Sequence, residues 1–120
     1  MYATVDDYLA DKDPAAVDKF RRFHDLVRTL GDDVEEQVRN SEVRWSRGRV
    51  FAAAFVYASR LEVALDLPRR VHHRSLREAY PSDGRVTTHR LSIASADELD
   101  DALRALLTEA YDTALPSTTA

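Results

Sequence analysis

The sequence predicts an α+β fold: a two-layer sandwich with N- and C-terminal helices packed on one face of a mostly antiparallel sheet of about five strands. Three observations carry this. Apolar residues recur at three- and four-residue spacing near both ends of the chain. Between residues 34 and 67, and again from 87 to 93, apolar and polar residues alternate instead, apart from a nearly all-apolar run at Val50 to Tyr57. The links between the runs up to residue 67 are too short for crossover helices, so those consecutive strands form an antiparallel meander.

Taken in order, Thr4 followed by Asp7 resembles a capping box and opens a short helix with Val5, Tyr8 and Leu9 on its apolar side. Asp13 then Pro14 is an N-cap with proline at the first helical position. Val17, Phe20, His24, Val27 and Leu30 make the apolar stripe of the helix that follows, with Gly31 expected at C′. Val34, Glu36 and Val38 suggest a weak first strand, and Val43 with Trp45 a second. Ser46 to Arg49 is a turn around Gly48. Val50 to Tyr57, nearly all apolar, reads as a central strand, and Leu61, Val63, Leu65 and Leu67 as the inward side of a fourth. Pro68 ends that strand. Residues 69–85 are expected to be a loop with a short helical turn around Ser75 to Tyr80. Thr87, His89, Leu91 and Ile93 then share one face of a last strand. Ser95 with Glu98 forms a capping box for a final helix bearing Leu99, Leu103, Leu106 and Ala110. Residues 1–114 make a single domain and 115–120 a flexible tail.

The bulk numbers narrow the function. At 120 residues the chain can bury a core unaided, and without cysteine it has neither disulfides nor thiolate chemistry. Three glycines in the whole chain exclude a glycine-rich phosphate loop. The longest apolar run, VFAAAFVYA, is well short of the roughly 18 residues of a spanning helix. MYATVDDYLADKD lacks the basic and apolar regions of a signal peptide, so a cytoplasmic location is expected. Fifteen arginines against two lysines are the bias of a GC-rich bacterial genome.

Charge is unevenly spread. Residues 1–37 carry ten acids and five bases, 38–90 five acids and eleven bases, and 91–120 six acids and one base. A net charge of -4 therefore hides a positive middle.

TVDDYLA, LGDDVEEQV, RVFAAAFVYASRLEVALDL, THRLSIAS and ADELDDALRALLTEAY together resemble the bacterial domain-of-unknown-function family 5655. The opening is also similar to the small YdhG-like domains. The resemblance implies a compact α+β domain and carries over no catalytic residue.

Candidate binding residues follow from chemistry. Arg69, Arg70, Arg74 and Arg77 fall in one segment, PRRVHHRSLREAYPSDGR, and guanidinium forks bind phosphate or carboxylate bidentately. The acidic ends of the chain are the competing partners. His89, in phase with Leu91, is either a pocket residue or a core histidine satisfied by hydrogen bonds. Trp45 is either core or, with Tyr57, the aromatic wall of a cleft. His72 and His73 have no carboxylate at helical spacing and no cysteine nearby, so neither a metal nor a cofactor is expected. Asp97, Glu98, Asp100 and Asp101 suit the first turn of a helix. Exposed aromatics interleaved with the arginines are too few for nucleic acid, Tyr80 excepted.

The leading expectation is a non-enzymatic module for a small anionic ligand or an acidic partner surface. An enzyme or sensor with a pocket at His89 is the second, and a homodimer covering the Val50–Tyr57 strand the third.

Overall fold

The computed structural model describes residues 2–115, Asp83 through its backbone alone; the expected tail, Leu115 apart, lies outside the described residues. Two helices come first, α1 (Val5–Leu9) and α2 (Pro14–Arg28). Five strands and a sixth follow: β1 (Glu35–Val38), β2 (Val43–Arg47), β3 (Arg49–Tyr57), β4 (Arg60–Leu67), β5 (Leu76–Asp83) and β6 (Val86–Ile93). A single 3-10 turn (Ala96–Glu98) leads into α3 (Asp101–Asp112). No helix among the described residues is long and apolar enough to cross a membrane.

The helices start where their caps say. Thr4 Oγ1 accepts the Asp7 N–H at 3.1 Å, and Asp13 Oδ1 accepts the Ala15 N–H at 2.8 Å ahead of Pro14. Two helix signals resolve differently from expectation. α2 ends at Thr29 with φ -83°, and Gly31 is not left-handed. Its missing side chain serves close approach instead, because a Cβ there would meet the hydroxyl of Tyr111. The Ser95–Glu98 capping box closes only the 3-10 turn. Asp100 then caps α3 separately by accepting the Leu103 N–H at 2.9 Å, since a short acidic side chain competes with helix continuation.

The sheet is open, antiparallel and six-stranded, in the order β1-β2-β3-β4-β6-β5. The sixth strand corrects the expectation of about five: residues 76–83 are not a helical turn in a loop but the edge strand β5, paired with β6. Register shifts between Leu76 and Glu78 and between Pro81 and Asp83 break its alternation. An edge position tolerates Pro81, whose missing N–H costs no central ladder bond.

Pairing assigns each strand residue to a face. Leu61 lies opposite Ile93, Val63 opposite Leu91 and Leu65 opposite His89. Ala54 and Ala52 continue these rows to Val43 and Trp45. This face forms the core: Leu61, Val63, Leu65, Val43 and Ile93 are completely buried. α2 and α3 both contact β3 and β4. Phe20 and Phe23 of α2 set their rings 6.1 and 5.6 Å from Trp45. Burying each such ring stabilises the fold by about 2–3 kcal/mol. A bulge gives β3 one extra residue, Phe51, which is buried edge-on against Tyr111 of α3 at 5.8 Å. The other face carries Phe55, Tyr57, Glu62, Asp66, Thr88 and Arg90.

Candidate functional site

The arginine-rich segment is engaged mostly by the chain itself. Arg69 forms a fork with Glu109 of α3, donating at 3.0 and 2.7 Å. That pairing holds the Arg69 guanidinium above its ordinary pKa. Arg74 donates to the Asp97 carbonyl at 2.7 Å and to Asp100 Oδ2 at 3.3 Å. Arg70 reaches a backbone carbonyl, Ala79 O, at 2.9 Å. Arg77, on β5, turns instead to the sheet and donates to Glu62 Oε1 at 3.2 Å. The four arginines thus do not converge on one point.

Within the same segment His72 is exposed, whereas the His73 side chain is only 2% exposed. The Ser75 N–H can only donate, so His73 Nδ1 accepts it at 3.0 Å and the ring proton faces Asp100 Oδ1 from Nε2 at 2.9 Å. That bond and the Leu103 N–H lower the Asp100 carboxyl to about 2. No group of three or more metal-ligating side chains occurs among the described residues.

His89 is 1% exposed and both its nitrogens are used. Nε2 accepts the Val71 N–H at 3.0 Å, which leaves Nδ1–H to face Leu65 O at 3.4 Å. Accepting through Nε2 requires a neutral ring, and burial pushes its pKa down in the same sense. Trp45, 1% exposed, lies on the core face, while Tyr57 stands 45% exposed on the other. The two do not share a wall.

Sequence reasoning left two groupings unassembled. The first is on the face of Glu62. This carboxylate is 2% exposed, yet Arg90 (2.9 Å), Arg77 (3.2 Å) and Arg60 (3.6 Å) reach it from three strands. Arg90 also lies over the Phe55 ring at 4.1 Å. Burial opposes the charge of Arg90, but Glu62, Tyr57 and Tyr80 outweigh it and hold the guanidinium above its ordinary pKa. Tyr57 and Tyr80 are 45% and 39% exposed, and Tyr57 stacks on Phe55 at 6.2 Å. The period-two phase of Glu62 among apolar neighbours was its signal; the arginine on β5 was hidden by the missed strand.

The second grouping joins α2, β1 and β2. His24 Nε2 contacts Glu36 Oε1 at 2.5 Å, and the Trp45 indole N–H donates to the same oxygen at 2.9 Å. The His24 bond lowers the Glu36 carboxyl against the opposing effect of burial, and Trp45 assists. Beside this cluster is a cleft of about 290 Å3.

These features define a small α+β domain on an open antiparallel sheet, with one polar, aromatic-bearing face and a cleft between the end of α2 and β1. Residues 5–114 match the family described as a domain of unknown function, DUF5655, and the chain belongs to that family, as its motifs suggested. No curated protein and no solved structure matches the chain.

Proposed function

We propose that the domain is a non-enzymatic cytoplasmic binding module that docks an acidic partner surface on the sheet face bearing Glu62. The reading takes the fold as two layers, both long helices on the Leu61 side, so that this face is open to a partner. One observation carries it: three guanidiniums share one enclosed carboxylate beside two exposed tyrosines. Glu62 neutralises one of the three charges, and Glu78, 3.4 Å from Arg77, a second. Immediately around Glu62 one positive charge is left over and prearranged, with Asp66 four residues further along β4 on the same face, and exposed tyrosines supply contact area at little entropic cost. A small anion at residues 69–74 is less well supported, because Arg69 and Arg74 already bind Glu109 and Asp100. A second copy would place like charge on like charge across a two-fold axis.

The test is fluorescence anisotropy with a labelled peptide alternating glutamate and tyrosine. The peptide should bind with strong salt dependence, and Arg60→Ala/Arg77→Ala should weaken it about tenfold. Arg90 remains on Glu62 in that variant, so the fold is retained. Three results would overturn the reading: no binding, equal binding by the variant, or tighter binding of a single-stranded oligonucleotide. A dimer in ultracentrifugation that Tyr57→Ala dissolves would also overturn it, in favour of self-association.

A further inference from the structure

The cleft of about 290 Å3 lies between the end of α2 and β1, on the core side of the sheet, away from the proposed docking face. Val27, Val34 and Gly31 supply its apolar walls, and Trp45 and Glu36 also line it. Arg28 and Asp32 complete the lining. Their state is the informative point. Neither the Arg28 nor the Asp32 side chain has a hydrogen bond or ion pair among the described residues; Arg28 acts on Glu36 through its charge alone. Elsewhere, most of the charged groups are paired off: Asp33, next to Asp32, takes both Arg47 and the Tyr111 hydroxyl.

Glu36 is half-committed. His24 and Trp45 both use Oε1, which orients the carboxylate, and no hydrogen bond among the described residues reaches Oε2. Trp45 is enclosed in the core, and His24 packs against both Phe20 and Trp45, with ring centroids 6.0 and 5.9 Å away. The carboxylate is therefore held by a rigid support before any ligand arrives.

We infer that this cleft is a binding site for a small zwitterion of free amino-acid size, its ammonium taken by Glu36 and Asp32, its carboxylate by Arg28, and its apolar side chain by Val27 and Val34. Groups of both signs beside apolar walls match such a molecule better than a simple anion, which the two acids would repel, or a simple cation, which would leave Arg28 without a counter-charge. The volume, about 290 Å3, is near the lower end of the roughly 300–1,000 Å3 of small-molecule sites and suits a ligand of free amino-acid size.

The test is a 1H–15N NMR titration of the full chain with L-valine, and separately with methylammonium and with acetate, to roughly ten-millimolar concentrations. L-valine should shift the Gly31 and Asp32 amides and the Trp45 indole N–H, and bind about tenfold tighter than either half-probe, because each half satisfies one sign of charge. Arg28→Ala and Asp32→Ala are exposed changes that leave the core intact, and each should weaken L-valine about tenfold. The inference is falsified if L-valine leaves those three resonances unmoved, or if methylammonium or acetate binds as tightly. A response unchanged in both variants would equally overturn it. The Glu62 face plays no part in this titration, so failure here leaves the docking proposal standing, and the converse.

Discussion

Asp100 serves several neighbours with one carboxylate. Its Oδ1 accepts from His73 Nε2 and the Leu103 N–H, both at 2.9 Å, and its Oδ2 accepts from Arg74 at 3.3 Å. It therefore starts α3 and ties the segment after β4 to that helix. These bonds favour the ionised form, which is why the carboxyl drops from its ordinary 3.8 to about 2. The folded value lies below the unfolded one, so the stabilisation is fully present above about pH 4 and is lost as pH falls towards 2. Asn at this position still caps the helix but cannot titrate. In urea titrations between pH 5 and 2, Asp100→Asn should lose stability less steeply than the parent. Parallel curves would show that Asp100 does not carry this dependence. Glu36 and Asp33 are lowered as well, so the difference between the two proteins, not the parent curve alone, is the readout.

Among the elements, β2, β4 and β6 were legible because apolar and polar residues alternate along them and one face is buried, and β3 because it is a nearly continuous apolar run. β5 was not. Arg77 and Ser82 fall at its register shifts, Pro81 interrupts its donors, and its composition, Leu-Arg-Glu-Ala-Tyr-Pro-Ser-Asp, is poor in β-branched residues. Only pairing with β6 makes it a strand, and pairing partners are not written in local pattern. The same reason separated the candidate site residues. His24 and Glu36 were each visible on the inward phase of their own element, but their meeting at Trp45 depends on how α2 crosses β1 and β2. The turn between β3 and β4 was legible in position though not in conformation. Ala58 adopts φ 50°, a region that disfavours a side chain, and Lys19 pins the turn by donating to Ser59 O at 2.9 Å. An edge strand held by one neighbour should open before the centre of the sheet. Native-state hydrogen exchange should find the β5 amides less protected than those of β3 and β4, by at least tenfold. Equal protection would mean that β5 opens only with the whole domain.

Across the whole molecule, the acidic ends and the basic middle are one electrostatic arrangement. Glu109 and Asp100 from the end of the chain hold Arg69 and Arg74, while Asp33 from the beginning holds Arg47. Arg47 also lies 4.1 Å from the Tyr111 ring, and Arg49 donates to Thr113 O at 3.2 Å, so the link before β1 and the end of α3 both close on the β2–β3 turn. The pairing explains how blocks of opposite charge coexist in a chain whose net charge is only -4. Net repulsion at that charge is small, so added salt has little to relieve and mainly screens these attractions. Each pair is partly exposed and contributes little by itself, about 0.2–1 kcal/mol. Their sum is what salt would remove, as the screening length shrinks from about 30 Å at 0.01 M to about 10 Å at 0.1 M. Thermal unfolding followed by circular dichroism should therefore show Tm falling by a few degrees as sodium chloride rises through about this range, corresponding to roughly 1 kcal/mol. Arg69→Ala should lower the low-salt Tm and flatten the salt dependence, because its forked pair with Glu109 joins the segment after β4 to the last helix. A Tm that rises with salt would instead mean that like-charge repulsion, including that among the arginines around Glu62, outweighs the attraction between the blocks.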